Sequence, residues 1–269
     1  MKWLISGSKG FLGSRLALHL INQGEEVRSI PRDLLYNYYE LKQYLEAEKP
    51  DYIIHLAAWG NHSTQRDLDK TVASNIGCTT TLLQASEDVD YKAFINTSTS
   101  SVLLPRQTFY SASKASTEHI CHAFFQEHNK PVVSIRPFSV YGIGEANHRF
   151  IPNVIRAIKV GAGFDLSPDA KHDWIYIDDF IQGVEKIVEN IDLLAGLPVN
   201  IGTGLDYSNQ EIIDIIERIH GEKLDYVIDK NMRSYDSKSW VADNEVLKEL
   251  GWKQKVSIYE GLKKTYEHY

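Results

Sequence analysis

Short runs rich in buried-type residues, each followed by a longer stretch of helical periodicity, fill the first half of the chain. The short runs lie at 2–6, 26–30, 51–56, 92–97 and 131–136, and the helical stretches at 11–22, 38–48, 67–86 and 110–128. Apolar runs without alternation belong to strands covered on both faces. Parallel neighbours need a crossover of a dozen residues or more, so strand-then-helix repetition admits few folds. The pattern predicts an α/β fold with a doubly wound parallel sheet of the Rossmann type.

After residue 136 the pattern loosens around Gly142, Gly144, Gly161 and Gly163. Helices are expected at 149–160, 178–189, 209–220 and 244–250, with strands at 174–177, 197–201 and 223–228. The 269 residues carry 29 lysines and arginines against 36 aspartates and glutamates, a net charge of −7. That balance argues against a nucleic-acid partner while allowing a local basic pocket. No run approaches the ~20 apolar residues of a membrane span, so no membrane association is expected. Cys78 and Cys121 have neither zinc nor disulfide-scaffold spacing, and no metal site is expected. The expected location is the cytoplasm.

The first motif with chemical content is Gly7-Ser8-Lys9-Gly10-Phe11-Leu12-Gly13, directly after the first strand. Glycines there let the backbone turn sharply and approach a pyrophosphate, which sits at the N-terminus of the following helix. Gly7, Lys9, Gly10, Phe11 and Leu12 are therefore expected cofactor contacts. The acidic ribose ligand that usually ends the second strand is missing, since Ile30 is followed by Pro31 and Arg32. Arginine there suits a 2′-phosphate, so NADP(H) is expected over NAD(H), with Lys9 as a second cation.

The second motif is Tyr110-Ser111-Ala112-Ser113-Lys114, which puts tyrosine and lysine one turn apart on one helix face. An ammonium beside a phenol favours the phenolate and fits it for proton transfer to or from a carbonyl oxygen. Hydroxyls to polarise that oxygen crowd the stretch 97–101.

These motifs resemble those of the extended short-chain dehydrogenase/reductases, in their nucleotide-sugar epimerase/dehydratase branch. Further likenesses are His55-Leu56-Ala57-Ala58, Asn75-Ile76-Gly77-Cys78-Thr79, the stretch Arg136 to Gly142, the stretch Asp173 to Asp179, and Asn200 to Gly204. The resemblance implies that Thr99, Tyr110 and Lys114 are catalytic. It also implies that Leu56, Ala57, Ala58, Asn75 and Pro137 meet the cofactor, together with Tyr110 and Lys114. Ser139, His172, Arg233 and Thr99 are the implied substrate contacts. Ser139 and His172 stand where the family often has asparagine and arginine. Only eleven positions separate Thr99 from Tyr110, which is short for the family.

The resulting expectation is an NADP(H)-dependent reductase of a nucleotide-activated 4-keto-6-deoxy sugar. Its alternatives are a C4 epimerase with bound NAD and a non-catalytic NADP-binding regulator. Residues 1–160 are expected to form the dinucleotide-binding domain. Residues 161–269 should complete the sheet and supply a small, interleaved substrate-binding lobe. The helices at 67–86 and 110–128 imply a homodimer, as they commonly pair in the family.

Overall fold

Runs of isoleucine, valine and phenylalanine fill strands because β-branched and aromatic side chains pack well on a pleated, covered surface. The computed structural model describes residues 1–62, 64–105, 107–228 and 239–269. Its chain divides into two units, Met1–Pro137 with Glu185–Val199, and Phe138–Val184 with Asn200–Tyr269.

The first unit opens with β1 (Lys2–Ser6), α1 (Phe11–Asn22), β2 (Glu26–Ile30), α2 (Tyr38–Glu48) and β3 (Tyr52–His55). It continues with α3 (Leu68–Thr71), α4 (Cys78–Ser86), β4 (Ala93–Thr97), α5 (Phe109–His128) and β5 (Val132–Pro137). The second unit begins with β6 (Ser139–Tyr141), α6 (Phe150–Val160), β7 (Phe164–Leu166), β8 (Lys171–His172) and β9 (Trp174–Tyr176). The chain then runs through α7 (Ile177–Glu189), α8 (Ile191–Leu194) and β10 (Pro198–Ile201). It ends with β11 (Tyr207–Ser208), α9 (Asn209–His220), β12 (Tyr226–Ile228), α10 (Glu245–Glu249) and α11 (Ile258–His268).

The main sheet has the strand order β10-β5-β4-β3-β1-β2. The pairs β1–β2, β1–β3, β3–β4 and β4–β5 are all parallel. This is the expected doubly wound Rossmann-type sheet, and its order reverses between β1 and β3. Among the described residues one strand, β2, lies beyond β1. The connection from Ile30 to Tyr52 holds a 3-10 turn (Asp33–Tyr36) and α2, with no further strand. As an edge strand β2 exposes Glu26, Ser29 and part of its length, whereas every residue of β4 is buried. Leu4, Ile53, Phe94, Leu82 and Val132 are among the residues of the core of this unit.

One expectation needs correction: the single helix at 67–86 is interrupted by a π-turn, Val72–Gly77, between α3 and α4. The fifth strand leads through Phe138 into β6. A helix additional to those expected, α11, starts with a Ser257–Glu260 capping box.

Among its described residues the second unit has three two-stranded ladders, β6–β9 and β7–β12 parallel and β8–β11 antiparallel. Short ladders hold little on their own, and two buried aspartates tie the connecting segments around them. Asp173 accepts hydrogen bonds from Thr203 N (2.8 Å), Thr203 Oγ1 (2.7 Å), Gly204 N (2.9 Å) and Ala242 N (3.0 Å). Asp179 accepts from Lys255 N (2.9 Å) and Val256 N (3.0 Å), fixing the approach to α11. Asp173→Ala would strand four donors, two of them buried backbone amides, and should cost more than about 3 kcal/mol. A drop in chemical-denaturation midpoint checks this, with Asp178→Ala, next to Asp179 in α7, as the comparison.

Candidate active site

The order reversal between β1 and β3 leaves a crevice at the carboxyl ends of those strands, where open α/β sheets bind ligands. Gly7 turns out of β1 with φ +71°, a conformation that favours glycine. A Cβ at Gly7 would lie 2.7 Å from Ala57 N, so the loop after β1 touches the loop after β3. A Cβ at Gly13 would collide with the Gly7 carbonyl, and this lets α1 start hard against the turn. Gly10 is the N-cap of α1 and supplies no side-chain cap, so the first amides, at Phe11 and Leu12 among others, stay available to an anion. These features fit a dinucleotide pyrophosphate. Lys9 and Arg32 are both exposed, and a Ser8–Ser29 hydroxyl bond of 2.6 Å ties the glycine loop to the end of β2.

Leu56, Ala57 and Ala58 follow β3 and are held from behind. Leu56 N donates to the Ser6 carbonyl (3.1 Å) and Ala57 N to Ser6 Oγ (3.2 Å). Asn75, expected among cofactor contacts, is fully buried in the π-turn. Its Oδ1 accepts from Trp59 N (2.8 Å), and its Nδ2 donates to Trp59 O (2.8 Å) and Ser113 Oγ (2.8 Å). The carboxamide thus pins the loop after β3 to α5, one residue before Lys114. Neither Trp59 nor Ser113 was singled out from sequence. Only the position of Ser113, one turn after Tyr110, hinted at it.

Tyr110 and Lys114 stand near the start of α5, which a Thr108–Ser111 capping box secures. Lys114 is 1% exposed, and its Nζ donates to the Thr97 carbonyl at 2.7 Å. Burial pulls its pKa down to about 8. Tyr110 is half-buried, and Gly60 (φ +96°) packs beside it, since a Cβ there would sit 3.4 Å from Tyr110 Cβ. Thr99 lies two residues beyond the carbonyl that Lys114 grips. It is extended (φ −160°) and caps the turn Ser100–Leu103, with Oγ1 accepting from Ser101 N at 3.2 Å. The structure therefore docks the helix carrying Tyr110 and Lys114 onto the strand end that leads to Thr99.

Pro137 ends β5. Ser139 and His172 lie in the second unit, both beside Asp173. Ser139 N donates to the Asp173 carbonyl (3.0 Å), and the His172 ring lies 5.2 Å from Trp174 and 5.5 Å from Trp240, centroid to centroid. Arg233 lies outside the described residues. Glu145, not anticipated from sequence, is buried, and burial raises its carboxyl pKa to about 8. Among the described residues no group of histidine, cysteine and carboxylate side chains could hold a metal. Among the same residues no helix is long and apolar enough to cross a membrane.

Residues 3–202 match the model of the NAD dependent epimerase/dehydratase family. The chain belongs to that family. It is 25% identical to the GDP-L-colitose synthase of Yersinia pseudotuberculosis, over 100% of this chain and 98% of that one. It is 26% identical to a probable dTDP-glucose 4,6-dehydratase of Sinorhizobium fredii, over 100% and 93%. Among solved structures, a Bacillus cereus UDP-glucuronic acid 4-epimerase in complex with UDP-glucuronic acid and NAD superimposes with a TM-score of 0.87. It is 26% identical over 100% of this chain and 98% of that one. The expected resemblance therefore holds, and NAD(P) binding with it. The NAD in that structure leans against the expected preference for NADP(H).

Gly13→Ala tests the crowding at the cradle. It should lower the melting temperature, reflecting about 1–3 kcal/mol of overpacking, and abolish NAD(H) and NADP(H) binding by calorimetry.

Proposed function

We propose that this chain is a nucleotide-sugar oxidoreductase that works at the sugar C4 position and interconverts C4 epimers. The carrying observation is the buried Lys114 ammonium, fixed to the Thr97 carbonyl one helical turn from Tyr110. A Bacillus cereus 4-epimerase of the same fold, crystallised with a UDP-sugar and NAD, supports the epimerase form.

Gly7, Gly10 and the α1 amides would hold the dinucleotide pyrophosphate, and Leu56, Ala57 and Ala58 would flank it. When bound, the nicotinamide supplies reversible hydride exchange with carbon. The protein's share is the proton at the sugar oxygen. Tyr110 Oη takes that proton as the hydroxyl becomes a ketone and returns it in the reverse direction. Lys114, with its pKa near 8, still carries its charge at neutral pH, and the charge stabilises the phenolate form of Tyr110. Thr99 Oγ1 donates to the same sugar oxygen as charge develops there.

A second reading, an NADP(H)-dependent 4-keto-6-deoxy sugar reductase, rests on Ile30-Pro31-Arg32 at the end of β2. Those three residues offer an exposed guanidinium and no carboxylate, the first acidic side chain being Asp33 in the turn that follows. Likeness to a GDP-L-colitose synthase also supports it. Purified protein incubated with UDP-, dTDP-, GDP- and CDP-sugars separates the two. An epimerase inverts C4 without consuming added cofactor, whereas a reductase oxidises one NADPH per 4-keto sugar. Inertness toward every such sugar would remove both.

Tyr110→Phe should lower turnover ~10²–10⁴-fold while cofactor affinity stays near wild type. Retained turnover would exclude the assigned role. Arg32→Asp should weaken NADP(H) binding by tenfold or more while leaving NAD(H) affinity unchanged or improved, as titration calorimetry would report. Equal losses for both cofactors would remove Arg32 as a 2′-phosphate ligand.

A further inference from the structure

A chain of hydrogen bonds with every donor assignable runs from the loop after β3 to the backbone of Tyr110. The Trp59 amide can only donate, so the Asn75 atom that accepts from it at 2.8 Å is Oδ1, and the carboxamide orientation is fixed. Both Nδ2 protons are then used, one on the Trp59 carbonyl (2.8 Å) and one on Ser113 Oγ (2.8 Å). Since Ser113 Oγ receives a proton from Asn75, its own proton goes to its other partner, the Tyr110 carbonyl, at 2.8 Å. Asn75 and Ser113 are both buried. A fully satisfied network of this kind is rigid.

The helix itself does not require the bond from Ser113. A carbonyl at that place in an α-helix takes the amide four residues on, here that of Lys114. The Ser113 hydroxyl is a second donor, from a side chain within the same helix. A bond of the same kind occurs one turn later, where Ser116 Oγ donates to the Ala112 carbonyl (2.9 Å). The two serines differ in what lies behind them. Among the described residues Ser116 bonds only within its own helix, whereas Ser113 is held by a side chain from the π-turn. That side chain is clamped on both backbone groups of Trp59. Gly60, the next residue, packs beside Tyr110, since a Cβ there would lie 3.4 Å from Tyr110 Cβ. The loop after β3 therefore meets Tyr110 twice, at its Cβ and, through Asn75 and Ser113, at its carbonyl.

We propose that Ser113 is a positioning residue for Tyr110, whose hydroxyl carries the placement of the loop after β3, through Asn75, to the first turn of α5. Tyr110 is the second residue of that helix. A helix end has fewer internal bonds than its middle and depends on outside partners. The Thr108–Ser111 capping box sets where α5 begins, and the Asn75–Ser113 link sets how its first turn stands against the loop. The same loop carries Leu56, Ala57 and Ala58, the expected cofactor contacts, so a short path of directed bonds refers the phenol to them. The proposal rests on the reading of Tyr110 as the proton-transfer residue.

Ser113→Ala removes the hydroxyl and leaves a strong helix former, while Ser116→Ala deletes the same kind of bond without the link. In protein carrying ¹³Cζ-tyrosine, with the Tyr110 line assigned by Tyr110→Phe, Ser113→Ala should shift or split that line. Ser116→Ala should leave it in place. With a nucleotide sugar that turns over, Ser113→Ala should lower kcat about tenfold and keep KM and the NAD(H) dissociation constant within about twofold, since a small displacement costs rate before binding. Ser113→Thr, which restores a hydroxyl, should recover the line and most of kcat. If Ser113→Ala does not fold, Ser113→Cys, a weaker donor of similar size, should show the same changes to a smaller extent. An unmoved Tyr110 line in the folded Ser113 variant overturns the proposal. So does an equal change in Ser116→Ala, or a loss of turnover that lies wholly in KM. If wild-type protein turns over no nucleotide sugar, the functional reading fails, yet the Tyr110 line still decides whether Ser113 holds that residue in place.

Discussion

A lysine that is 1% exposed is the constraint around which the first unit is arranged. Burying an ammonium costs several kcal/mol unless acceptors replace the lost water. The Thr97 carbonyl at 2.7 Å supplies one acceptor, and it can do so only because β4 ends where α5 begins to cover it. Much of the local architecture follows from that requirement. The Thr108–Ser111 capping box fixes where α5 starts, and Asn75 fixes how close α5 lies to the loop after β3. The chain after Thr97 must turn away from the strand at once, which is what Thr99 and the short turn at Ser100–Leu103 accomplish. Helix, strand end and loop thus meet at Lys114, whose charge would tune Tyr110 under the proposed function.

The strands and helices were readable because their signal is local. Phe11–Asn22, Tyr38–Glu48 and Asn209–His220 have helical bounds that coincide with their periodicity. The glycine loop was readable for the same reason: three glycines in seven residues after a buried strand have few other uses. The π-turn at Val72–Gly77 was not, since one extra residue per turn barely disturbs an apolar pattern. The two-residue strands β8 and β11 carry no periodicity at all. The helix α11 had a legible start in Ser257 and Glu260, but its buried residues Gly261, Leu262 and Thr265 form too thin a stripe to stand out.

Side-chain roles were less legible than elements, for a physical reason. Asn75 sits in a recognisable motif, yet its carboxamide bonds to Trp59 and Ser113, which only the tertiary arrangement reveals. Sequence identifies that an amide is present and leaves open whether it faces a ligand or the backbone of a distant loop. Asp173 is similar: its motif is visible, but its work is to accept from Thr203, Gly204 and Ala242, residues 30 or more positions away.

The end of β2 shows how a missing residue and a short connection act together. Pro31 removes an amide and fixes its own backbone angle, so β2 cannot extend past Ile30. Arg32 then enters helical geometry (φ −58°, ψ −41°) as the cap of the 3-10 turn, and α2 follows within a few residues. Among the described residues no strand lies outside β2, and both Arg32 and Lys9 are exposed. The chain places a cation at position 32, followed by Asp33, and the Ser8–Ser29 bond holds the glycine loop against the end of β2. Under the proposed function, Arg32 as a 2′-phosphate ligand would set cofactor preference at this edge, apart from the Tyr110–Lys114 pair.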